Sequence, residues 1–201
     1  MATTTSKNGA SQSKTIKAPI GVIHGKFQPV HKDHLKYLLA GKSRCDFLFV
    51  GITNPDPTLT KEMSEDPARS KPSNNPFTYW ERFLMIEAAL IEAGIKREEF
   101  AIVPFPINYP ELLKYYAPEE ARYYTVIYDV WGSKKAEMLR SLGLDVDVMW
   151  EKSLAEKGIS GTEVRKQMAA NGDWRSMVPP AVADVIERLG LDKRVRNLES
   201  H

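Results

Sequence analysis

The sequence predicts an α/β protein: a doubly wound parallel five-stranded sheet with C-terminal helices. Three observations carry that prediction. Short apolar runs alternate with amphipathic helical patterns along the chain. The length, 201 residues, is enough for one such domain with a full core. The balance of 42% hydrophobic and 27% charged residues is ordinary for a globular chain.

Taken in order, Ile20–Ile23 reads as a buried strand and Asp33–Ala40 as the helix after it. Phe47–Ile52 is the second strand, followed by a helical pattern over Thr78–Ala93. Ala101–Val103 is the third, with a helical pattern over Pro110–Tyr116. Thr125–Tyr128 and Val146–Met149 are the fourth and fifth, separated by a helix over Lys134–Leu142. Helices at Thr162–Ala170 and Pro180–Leu189 follow the last strand. Right-handed crossovers bring the carboxyl ends of parallel strands to one rim, where open α/β sheets bind ligands. His31, His34 and the Thr53-Asn54 turn fall on that rim.

Residues 1–16, rich in Ser, Thr, Lys and Gly, read as a disordered tail, leaving 17–198 as a single domain. That start lacks the apolar core of a signal peptide. No stretch approaches the length of a membrane span, so no membrane partner is expected. A net charge of +2 gives no broad basic field for nucleic acid. The lone cysteine, Cys45, suits a reducing, cytoplasmic setting and reads as a small buried residue. The connection Asn54–Asn75 is long, polar and without periodicity. It reads equally as a lid carrying Lys61, Arg69 and Lys71 or as a solvated loop.

Two motifs carry chemistry. Gly25-Lys26-Phe27-Gln28-Pro29-Val30-His31-Lys32-Asp33-His34 joins the first strand to the first helix. A helix N-terminus offers unpaired N–H groups and partial positive charge to phosphate, and two imidazoles three residues apart add donors there. Far along the chain, Ile159-Ser160-Gly161-Thr162-Glu163-Val164-Arg165 starts another helix. Ser160 or Thr162 can cap it, and Arg165 can fork onto a polyphosphate. Both motifs point to nucleotide phosphate chemistry.

GxFxPxHxxH followed by ISGTEVR resembles the nucleotidyltransferase superfamily with HxGH and ISxTxxR signatures. Within it the chain is most similar to archaeal-type nicotinamide mononucleotide adenylyltransferases, through GKFQPVH, Asn75-Pro76-Phe77-Thr78 with Glu81-Arg82, SGTEVRKQM and the final helix ending at Leu198. The resemblance implies a Rossmann-like nucleotidyltransferase domain over 17–198. It implies adenylyl transfer from ATP to nicotinamide or nicotinate mononucleotide, with pyrophosphate released, in a homo-oligomer. His31, His34, Lys26 and Arg165 would be catalytic. Gly25, Phe27, Gln28, Asp33, Ser160 and Thr162 would bind the nucleotide. Thr53, Asn75, Pro76, Phe77, Thr78 and Arg82 would shape the acceptor pocket. Mg²⁺ would be held mainly by the triphosphate, with no dedicated protein cage. For Arg82, a helix-surface ion pair with a neighbouring Glu is the rival reading.

The chain departs from the family pattern at three places. Lys26 stands where the family usually has Arg. Asp33 replaces the HxGH glycine; it can read the sugar or base, or merely cap the first helix. The Trp that stacks on the pyridine ring has no counterpart in the 107–113 stretch, so Tyr109 or Trp131 is its candidate replacement. Asp33, the long 54–75 connection and the missing Trp keep an alternative open: a cytidylyl- or adenylyltransferase acting on a different phosphorylated small molecule. A nucleotide-binding regulator without catalysis is a rival of another class, and retention of both histidines, Thr162 and Arg165 argues against it. A fragment of an aminoacyl-tRNA synthetase would need a basic surface that the chain lacks.

Overall fold

The computed structural model describes residues 17–59, 74–156 and 158–199. Most of the long 54–75 connection and the 1–16 segment therefore lie outside the described residues. So do Lys61, Arg69 and Lys71.

Five parallel strands form one sheet: β1 (Ala18–Gly25), β2 (Cys45–Thr53), β3 (Phe100–Phe105), β4 (Arg122–Ile127) and β5 (Asp145–Glu151), in the order β3-β2-β1-β4-β5. The predicted strands are all present, each longer than its apolar run. Helices α1 (Lys32–Lys42), α2 (Tyr79–Glu92), α3 (Val130–Ser141), α4 (Gly161–Ala169), α5 (Pro180–Arg188) and α6 (Leu191–Glu199) complete the fold. The alternation of β1 side chains splits the core. Ile23 joins Leu38, Met85, Leu90, Val164, Met168 and Val182 on one face of the sheet. Val22 joins Phe105, Leu113, Tyr123 and Leu139 on the other.

Two elements differ from the sequence expectation. Pro110–Tyr115 is a 3-10 segment rather than an α-helix. Helix α3 begins at Val130, four residues before the expected Lys134, because Asp129 caps it by accepting the Gly132 N–H at 2.7 Å. The strand order reverses between β1 and β4, and that switch point is where an open α/β sheet leaves a crevice.

Candidate active site

A cleft of about 420 Å³ opens at this switch point. Its walls come from residues 24–28 at the end of β1 and just after it, the start of α1, Val126 and Tyr128 around the end of β4, Lys135 of α3, and residues 158–162 with Arg165 of α4. Both sequence motifs therefore meet in one place, although more than a hundred residues separate them.

The first motif is built tightly. Phe27 is fully buried at φ 52°, a left-handed conformation unusual for a bulky residue. Its ring meets His34 edge-on at 4.9 Å and fills the space a side chain at Gly25 would need. The residue that caps α1 is His31, not Asp33: His31 Nδ1 accepts the His34 backbone N–H at 3.2 Å. An imidazole accepting at Nδ1 carries its proton on Nε2, which makes His31 Nε2 a donor. The His31 and His34 rings stack at 3.6 Å, forming one paired wall of the cleft.

Asp33 has another task. Its Oδ2 accepts the Ile159 N–H at 2.7 Å, while Oδ1 takes Lys36 Nζ at 2.8 Å. Burial pushes the carboxyl upward, but these hydrogen bonds outweigh it and hold it below the usual carboxylate range. The side chain thus ties the first turn of α1 to the start of the second motif. There Ser160 caps α4 by accepting the Glu163 N–H at 3.1 Å. Gly161 lies so close to the first motif that a β-carbon would sit 2.6 Å from the Gln28 carbonyl. Arg165, only 7% exposed, donates from Nη1 to that same carbonyl at 2.6 Å, and from Nη2 to Asn74 Oδ1 at 2.6 Å and Thr162 Oγ1 at 3.4 Å. It stands in the cleft wall as a pre-oriented guanidinium.

The structure brings together Gly25, Lys26, Phe27, Gln28, His31, Asp33, His34, Ser160, Thr162 and Arg165. The residues expected to shape the acceptor pocket do not line this cleft. Phe77 is in the core. Thr78 caps α2 through a capping box with Glu81. The Pro76 carbonyl accepts from Arg194. Asn75 and Tyr109 lie on connections between elements, and Trp131 in the first turn of α3. Arg82 is not a surface ion pair, and it stands outside the cleft wall. It is 1% exposed, and its guanidinium donates to the carbonyls of Lys26, Thr53, Asn54 and Thr78 at 2.7–3.2 Å, with Pro55 at 3.4 Å. Burial lowers it to about 10, still cationic at neutral pH. It fixes the chain leaving β2, Thr53 included, to the first motif. Gln28 does the matching task on the returning chain: its amide donates to the Phe77 carbonyl at 2.8 Å and accepts the Phe77 N–H at 3.0 Å.

Sequence reasoning missed His24, Tyr37, Asn74, Tyr128, Lys135 and Gly158 in the cleft wall. For His24 a signal existed: a polar residue closing an apolar strand, next to the motif. His24 is 3% exposed, and neither ring nitrogen has a hydrogen-bond partner among the described residues. Leaving such a group unpaired costs about 1–3 kcal/mol. Burial first, and the Lys135 charge second, hold it well below the usual histidine value, so the ring is neutral at pH 7. Among the described residues no group of three or more His, Cys, Asp or Glu side chains could hold a metal ion, and no helix is long and apolar enough to cross a membrane.

The switch-point cleft, the paired histidines and the two capped helix starts define the class: a nucleotidyltransferase. The chain belongs to the cytidylyltransferase-like family, whose model matches residues 22–167. It is 51% identical to a phosphonoformate cytidylyltransferase from Streptomyces viridochromogenes, over 89% of this chain and 96% of that one. It is 32% identical to a nicotinamide-nucleotide adenylyltransferase from Pyrococcus abyssi, over 90% and 89%. Among solved structures, a bifunctional NMN adenylyltransferase/ADP ribose pyrophosphatase from Francisella tularensis superposes with a TM-score of 0.63 at 16% identity. That match covers 91% of this chain and 54% of the larger protein, and it speaks for the fold alone.

Proposed function

We propose that this protein transfers a cytidylyl group from CTP to a small acceptor bearing a phosphonate or phosphate, with release of pyrophosphate. The observation that carries this reading is the far higher identity to the phosphonoformate cytidylyltransferase than to the adenylyltransferase relatives. The cleft supports it, because neither Tyr109 nor Trp131 lines the wall to stack on a pyridine ring. The alternative raised by the sequence therefore displaces adenylyl transfer to nicotinamide mononucleotide as the main reading.

In this reading an acceptor oxygen attacks the α-phosphorus. The bond from that phosphorus to the β-bridging oxygen breaks, and pyrophosphate leaves with the electron pair. The attacking group is already an anion near neutral pH, so the protein's task is alignment and charge neutralisation rather than base catalysis. His31 Nε2–H, His34, Lys26 and the N–H groups opening α1 would surround the transferring phosphoryl oxygens. Thr162, Arg165 and the α4 N-terminus would hold the β- and γ-phosphates. The cleft has cationic and amide donors, with Asp33 already engaged by Lys36 and Ile159, so Mg²⁺ fits best as a passenger on the triphosphate rather than in a protein cage. Bound there, it would supply further neutralisation of phosphate charge.

The test is pyrophosphate release by the full chain with CTP, ATP, GTP and UTP, each paired with phosphonoformate, simple phosphonates and nicotinamide mononucleotide. CTP with a phosphonate acceptor is expected to be fastest. A clear preference for ATP with the mononucleotide would overturn the reading.

A further inference from the structure

The two phosphate-gripping segments account for one side of the cleft only. Residues 158–165 belong with α1 and the core face that holds Ile23 and Leu38. His24 projects to the opposite face of the sheet, where its ring lies flat on Phe105 with centroids 4.7 Å apart and planes 9° apart. Phe105 can take that position because Gly51 beneath it has no side chain; a β-carbon there would sit 2.6 Å from the phenyl ring. The stack fixes the imidazole in one orientation, buried, with both nitrogens unpartnered among the described residues, in the wall of the cleft. Lys135 reaches the same wall from α3, which packs on β4 and β5.

A buried imidazole with no hydrogen-bond partner among the described residues is an exception that needs a reason. A neutral ring offers one N–H, and the ammonium nearby offers charge. Together they match a compact anion that is planar or nearly so. We infer that His24 and Lys135 form the subsite for a carboxylate carried by the acceptor, on the side of the cleft away from the triphosphate grip. This inference rests on the proposed transfer to a small phosphonate. It adds what the acceptor carries at its other end and which residues select it. His24 donates one hydrogen bond to a carboxylate oxygen, and Lys135 balances the charge. Phe105, fully buried, backs the His24 ring and holds it flat.

The test uses three forms of the full chain: wild type, His24→Phe and Lys135→Met. His24→Phe keeps the flat stack on Phe105 and removes both nitrogens, so the melting temperature should hold or rise. Calorimetric titration with phosphonoformate and with methylphosphonate reads binding directly. Wild type should bind the carboxylated ligand more tightly, and each variant should lose about tenfold for phosphonoformate with little change for methylphosphonate. In steady state the same variants should raise KM for the carboxylated acceptor and leave KM for the nucleotide within about twofold. Equal losses for both ligands, or a variant that keeps the carboxylate preference, would overturn the inference, as would failure of wild type to prefer phosphonoformate. If phosphonoformate binds through His24 but no triphosphate yields pyrophosphate, the subsite stands and the proposed reaction fails. A fourth form, Lys135→Arg, should restore the preference if charge is the operative property.

Discussion

Asp33 and Gly158 compete for one space: a β-carbon at position 158 would lie 2.2 Å from Asp33 Oδ2. The carboxylate takes the next residue's N–H, so the glycine and the aspartate work as a matched pair that joins the two motifs of the cleft.

Gly158→Ala should therefore weaken triphosphate binding, and adding Asp33→Gly should recover part of the loss, because the second change vacates the contested volume. The coupling should fall at roughly 0.5–3 kcal/mol, the range for residues in contact. It is read from a double-mutant cycle on nucleotide affinity. Strict additivity would show that the two residues act separately.

Asp33→Gly alone should weaken all four triphosphates about equally and leave their relative rates unchanged. The reason is that Asp33 neither caps α1, a task taken by His31, nor keeps an oxygen clear of Ile159 and Lys36. Relative rates with CTP, ATP, GTP and UTP check this. A changed preference would mean that Asp33 leaves Ile159 to read the nucleotide.

His34→Ala should lower kcat by about 100-fold or more while the melting temperature changes little. The ring is partly exposed in the cleft, and in the proposed mechanism its loss removes a donor to the transferring group. Turnover near wild type would remove this residue from the machinery.

Arg82→Met should cost on the order of 3 kcal/mol or more in unfolding free energy, because several buried carbonyls lose their donor together. Denaturant unfolding reads it. A stable variant impaired only in KM for the acceptor would instead place Arg82 at the ligand.

Glu81 gives a pH-dependent prediction. Both its oxygens bind Arg194 at 2.7 Å, joining α2 to α6, and one also accepts the Thr78 N–H at 2.9 Å. Burial raises its carboxyl, but Arg194 and Thr78 outweigh this and leave it below the usual value. The native state thus binds the proton less readily than the unfolded chain. The resulting stability is present above about pH 4.3 and fades as pH falls through the lower native value. Glu81→Gln should cost about 1–3 kcal/mol at pH 7 and progressively less in acid. A gap that does not change with pH would exclude the ionised pair as its source.

The sheet was legible because buried parallel strands announce themselves as apolar runs, and the two motifs because helix starts that bind phosphate need particular residue types. The acceptor side was not. Arg82, Phe77 and Thr78 carry residue types common in binding sites, yet a carbonyl clamp, a core phenyl and a capping box use the same atoms. Only long-range geometry tells these uses apart. Lys135 gave no signal either, since a surface lysine and a cleft lysine read alike on an amphipathic helix. The 3-10 segment at Pro110–Tyr115 reads in the sequence only as a helical pattern, because its spacing of apolar residues fits either kind of helix.

Arg82 gathers the outgoing carbonyls of residues 53–55, and the Gln28 amide holds the incoming backbone at Phe77. Both anchors lie outside residues 60–73 and next to the first motif, so the exit and re-entry points are set independently of how much chain joins them. Closing a longer connection between fixed ends is cheap, roughly 0.6 kcal/mol for each doubling of its length. The fold therefore holds a socket at this rim into which segments of different length and sequence can be spliced while the histidine pair keeps its place.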